Sequence, residues 1–152
     1  TTKLLSNISD EVISIEADKR LYDLAVKKFQ NIKNIKIIND KSQSALEEIL
    51  KNSENHKNLC LYLDAHLCMD HLTKTPTFKE ENLETPIMVE LNIIENYLKK
   101  FDKVNILVDD IRLFDGKTQN YPDLNVIVDW ARKNNSNWFI EHDIFIIKFE
   151  TS

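Results

Sequence analysis

The sequence predicts an α/β fold: a mostly parallel sheet flanked by helices and closed by an antiparallel C-terminal β-hairpin. Three observations carry this expectation. Short β-rich runs alternate with amphipathic helical stretches, the pattern of strands joined by crossover helices. The run at residues 59–64 is apolar up to its terminal Asp64, as a parallel strand buried on both faces is. Finally, two β-rich runs, 138–141 and 144–149, are separated only by His142 and Asp143. That link is long enough for a hairpin and too short for a parallel crossover.

The elements follow in order. TTKLLSNI looks like a helix already under way, with Thr1 or Thr2 near its cap. Residues 12–16 form a short β run. ADKRLYDLAVKKFQNI then places Leu21, Leu24, Ala25, Lys28 and Phe29 at helical spacing, with Asp18 positioned to cap. Residues 35–38 are a second β run, and 42–50 a helix with Ala45, Leu46, Ile49 and Leu50 apolar. The stretch 65–85 is polar and irregular and contains Pro76; loops of this length are usually functional covers or mobile segments. Pro86 suits the first turn of PIMVELNIIENYLKKF, whose Met88, Leu91, Ile94, Tyr97 and Leu98 make an apolar face. Residues 104–109 form a fourth strand, and Tyr121-Pro122-Asp123 reads as the start of the helix PDLNVIVDWARKN. Cys60, Trp130 and Trp138 read as core residues.

Composition narrows the function. A chain of 152 residues, 42% hydrophobic and 30% charged, fits one globular domain. Net charge is −5 with lysines scattered among acids, so no basic patch favours nucleic acid. No apolar run approaches the roughly 20 residues of a membrane span, and the first residues lack a signal-peptide centre. Two cysteines argue against a disulfide framework, and the expected setting is cytoplasmic with no membrane partner. Gly116 is the one glycine. A nucleotide-binding α/β domain needs a glycine-rich turn after its first strand, so a strand and such a loop are expected upstream of Thr1.

The chemistry is concentrated in acids. Three β runs end in carboxylates: Glu16, Asp64, and the Asp109–Asp110 pair. In an open parallel sheet the carboxyl ends of strands line one crevice, where ligands bind. Carboxylates crowded there call for a hydroxyl-rich ligand, a cation or bulk water.

Taken together, these residues resemble the class I S-adenosylmethionine-dependent methyltransferases. The resemblance implies a Rossmann-like sheet within a single methyltransferase-like domain over 1–152, its first strand and glycine loop absent. VISIEADKRLYDLA resembles the strand whose terminal acid binds the cofactor ribose, which implies Glu16, with Ala17 beside it. IINDKSQSAL resembles the turn flanking the adenine, which implies Asp40, Lys41 and Ser42. LYLDAH and ILVDDIRLF are similar to strand ends of the metal-dependent, macrocin-type sugar O-methyltransferases. That likeness implies Mg²⁺ held by Asp64, Asp109 and Asp110. It further implies Asp64 beside the cofactor and in catalysis, with His66 as the base, and a small-molecule or sugar-like acceptor. A homo-oligomer is compatible with it.

Each assignment has a plainer counterpart. Glu16 also suits a helix N-terminus, where the macrodipole favours an acid. Asp64 and Asp109 suit turns or caps, and His66 suits a solvent-facing loop. Arg112 fits a structural pairing with Asp109 or Asp110 better than an anionic substrate. His66, Cys68, Asp70 and His71 invite zinc, but no second paired spacing supports it. His142 takes no role. Two other functions compete: a non-catalytic binding or assembly module lacking a functional cofactor site, and a metal-dependent phosphohydrolase built on the same acids.

Overall fold

The structure is a computed structural model and describes residues 1–64, 85–118 and 121–151. The sequence-predicted base His66, and Cys68, Asp70 and His71, lie outside the described residues. The described elements run α1 (Thr2–Leu5), β1 (Val12–Ile15), α2 (Lys19–Phe29), β2 (Ile35–Ile38), α3 (Ser42–Lys51), β3 (Asn58–Leu63), α4 (Ile87–Glu95), β4 (Lys103–Val108), α5 (Leu124–Lys133), β5 (Asn137–Glu141) and β6 (Ile144–Glu150). Single-turn 3-10 helices, Leu98–Lys100 and Ile111–Leu113, flank β4.

Among the described residues the strands form two sheets. β1 and β2 pair in parallel, and a second sheet has the order β3-β4-β6-β5. β3 and β4 are parallel, whereas β6 is antiparallel to both β4 and β5. The closing hairpin is therefore present, and it turns at His142–Asp143, with His142 at φ 53°.

Local chemistry explains the helix starts. Asp18 accepts hydrogen bonds from the Arg20 and Leu21 backbone N–H groups, and Asp123 accepts one from Asn125, each satisfying donors orphaned by the first helical turn. Pro86 sits at the N-cap of α4, one position before its expected place at the first helical residue, which leaves its missing N–H harmless. The apolar face predicted for this helix is present, but the α-helix ends at Glu95, and Leu98 is carried in by the 3-10 turn.

The core is built on the second sheet. Alternation along β4 sends Val104, Ile106 and Val108 to one face, where Phe145 and Ile147 of β6 join them, all at most 1% exposed. Leu50, Leu91, Ile94 and Ile127 pack there from α3, α4 and α5. Trp130 belongs to this core as expected. Trp138 does not. It stacks on Phe145 but is 37% exposed, because β5 is the edge strand and every residue of it is exposed. Cys60, also expected inside, is exposed on β3. Helix α2 buries no residue completely, and Leu24 on its apolar face is exposed. None of the described helices is long and apolar enough to cross a membrane.

Candidate functional site

The parallel pairing of β3 with β4 places their acids side by side. Leu63 is opposite Val108 in register, so Asp64 and Asp109 are the next residues on adjacent strands. The Asp109 N–H donates to the Leu63 carbonyl at 3.0 Å, carrying the ladder one step past the strands. Asp110 turns away with φ 57°, in the left-handed region that Asp tolerates better than most residues. Its own N–H is held by Asp109 Oδ1 at 2.8 Å. The result is a small, open cleft at the carboxyl ends of β3 and β4. Asp64, Asp109 and Asp110 line it, with Thr85, Glu90 and Tyr121.

Sequence reasoning missed three residues of this neighbourhood. Tyr62 donates its hydroxyl to Asp109 Oδ2. That hydrogen bond, then burial and the charges of Asp109, Asp64 and Asp110, hold the phenol well above its ordinary range. Asp143 arrives from the hairpin turn, because antiparallel β6 brings its start to the end of β4. The Asp143 carbonyl accepts from Ile111 N–H at 3.0 Å, and its Oδ1 accepts from Arg112 N–H at 2.9 Å. The Arg112 guanidinium pairs with Asp143 Oδ2 and, at 2.7 Å, with Asp110 Oδ1, the structural pairing expected for it.

Glu90 is the third. It is 2% exposed, and burial pushes its carboxyl above the usual range, partly offset by a hydrogen bond from the Ser42 side chain. The signal was present in the sequence: Glu90 falls between Ile87 and Leu91 on the apolar face of α4. A buried acid whose folded pKa is raised holds its proton to a higher pH in the native state than in the unfolded chain. Stability is then full below the unfolded pKa and declines as pH rises through the folded one. Glu90→Gln is expected to match the wild-type melting temperature near pH 4 and exceed it by a few degrees near pH 8. Thermal melts across that range check it; parallel curves at every pH would remove the upward shift of the Glu90 carboxyl.

The remaining predicted residues follow the two strands of the other sheet. Glu16 follows β1, with its Oε1 accepting from Asp18 N–H at 2.9 Å, the turn role that competed with ribose binding. The Glu16 and Ala17 carbonyls accept from Asn39 Nδ2 at 2.8 and 3.3 Å. Asp40 Oδ1 accepts from Lys41 N–H at 2.7 Å, Lys41 is the N-cap of α3, and Ser42 is its first residue. Glu16, Ala17, Asp40, Lys41 and Ser42 are not in the lining of the acidic cleft, although Ser42 reaches it through Glu90.

Among the described residues, one group of acids could bring ligand atoms within 4.8 Å of one another: Asp109, Asp110 and Asp143. Asp64 lines the same cleft but falls outside that group. The set differs from the expected Asp64, Asp109 and Asp110 by one member, supplied by the hairpin. An all-oxygen donor set suits a hard cation such as Mg²⁺. Comparison with protein-family models and with curated proteins returned no match.

Proposed function

We propose that this chain transfers a methyl group from S-adenosylmethionine to a hydroxyl of a small or sugar-like acceptor, assisted by Mg²⁺. The observation that supports this reading most is the meeting of Asp64, Asp109 and Asp110 in one cleft at the carboxyl ends of adjacent parallel strands. Asp109 and Asp110 would hold the cation, with Asp64 lining the same cleft. When bound, Mg²⁺ lowers the pKa of a coordinated hydroxyl and orients it. His66 is proposed to take the hydroxyl proton, with Asp64 beside it in the site, since an imidazole titrates near neutrality. Glu16, Ala17, Asp40, Lys41 and Ser42 are proposed to bind the ribose and adenine of the cofactor, Glu16 accepting both ribose hydroxyls.

Calorimetric titration of the full-length protein with S-adenosylmethionine tests this. Saturable binding that disappears in Glu16→Ala is expected; the absence of heat at millimolar cofactor would overturn the reading. The competing reading is a binding or assembly module without catalysis. It is favoured by the partners these acids already hold: Tyr62 on Asp109, Arg112 on Asp110, and the Asp18 N–H on Glu16.

A further inference from the structure

The outer edge of β5 is apolar on both of its faces. Trp138 and Ile140 point one way and Phe139 the other, at 37%, 45% and 40% exposure. An edge strand of this kind is normally guarded by a lysine, a proline or a bulge. Asn137–Glu141 has no such residue, and its register with β6 runs without a break.

Among the described strands, the hairpin also determines which backbone groups of β5 bond to β6 and which point away from it. A two-residue turn closes on a hydrogen-bonded pair, here Glu141 opposite Ile144. Bonded and non-bonded pairs alternate from that point. Phe139 and Asn137 therefore spend their N–H and C=O groups on β6, while Trp138 and Ile140 direct theirs outward.

We propose that β5 pairs antiparallel with β5 of a second copy of this chain, about a two-fold axis passing beside Phe139. In that register Trp138 faces Ile140 of the other copy and both outward-pointing residues exchange hydrogen bonds. Phe139 meets its own counterpart at a non-hydrogen-bonded position, where side chains approach most closely. Asn137 faces Glu141 of the other copy, so no like charges are opposed. Lys148, in register with Asn137 and with its Nζ 5.0 Å from the Phe139 ring, lies in the row that the incoming Glu141 extends. Moving the axis to Glu141 would set that carboxylate against itself. The register of greatest overlap is thus also the one with complementary charge, as an isologous contact requires. The four-stranded sheet becomes continuous with its copy.

Sedimentation velocity of the full chain should give the dimer mass. Ile140→Pro deletes an N–H that β6 does not use, so it should give monomer with an unchanged far-UV spectrum. Ile140→Lys places a charge on the same edge and should do likewise if the proline variant fails to fold. In a Cys60→Ser, Cys68→Ser background, Phe139→Cys should oxidise to a covalent dimer and Asn137→Cys should not. A monomer at every concentration would overturn the proposal. So would a dimer that survives Ile140→Lys, or one that Phe139→Cys fails to cross-link.

Discussion

On the proposed function, Asp109→Asn is expected to lower Mg²⁺-dependent methyl transfer by at least about a hundredfold while leaving the fold intact. Asp109 is the hub of the cleft. One of its oxygens holds the Asp110 N–H and the other takes the Tyr62 hydroxyl, so its charge sets both the neighbouring turn and the local potential. Asparagine keeps a carbonyl for the Asp110 N–H and an amide that can donate to Tyr62, so the turn survives. The negative charge that a cation needs is lost. Turnover on a panel of sugar and catechol diols, with and without excess EDTA, measures the effect. Equal activity in EDTA would remove the metal and leave methyl transfer standing. A second readout does not depend on turnover. With the carboxylate gone, the Tyr62 phenol should titrate closer to its ordinary range, which alkaline difference absorbance detects against a Tyr62→Phe blank.

Phe145→Ala is expected to destabilise the domain by about 3–5 kcal/mol, a large share of what a domain of this size has available. Phe145 is fully buried on β6, pairs with Val108 of β4 and Ile140 of β5, and carries the stacked ring of Trp138. Removing the ring opens a cavity where three strands meet. The consequence reaches the cleft, because the hairpin that Phe145 anchors positions Asp143 against Arg112 and the Ile111 N–H. A urea titration should show a lower midpoint at unchanged slope. A loss below about 1 kcal/mol would mean that the surroundings collapse onto the gap.

The parts of this molecule that were readable from residue order are those governed by neighbours in the chain. Asp18 and Asp123 cap helices because a short carboxylate can reach N–H groups two or three residues on, and that reach is local. The closing hairpin was legible for the same reason: a two-residue link leaves the chain no other course. The acids at the ends of β3 and β4 could be placed at strand boundaries from their apolar runs. Their meeting in one cleft required the parallel register of Leu63 with Val108, a contact between segments some forty-five residues apart in the chain.

Other features depend on packing that no short window encodes. Trp138 and Cys60 have the composition of core residues, yet β5 is an edge strand and Cys60 is exposed, so strand order rather than residue type decides their exposure. Asp143 joins Asp109 and Asp110 only because β6 returns antiparallel along β4. Tyr62 looked like one more apolar strand residue until the β4 carboxylate came within its reach. Hydrogen bonds within a turn are set by chain connectivity, whereas strand order and the partners of a buried polar group emerge when distant surfaces exclude water together.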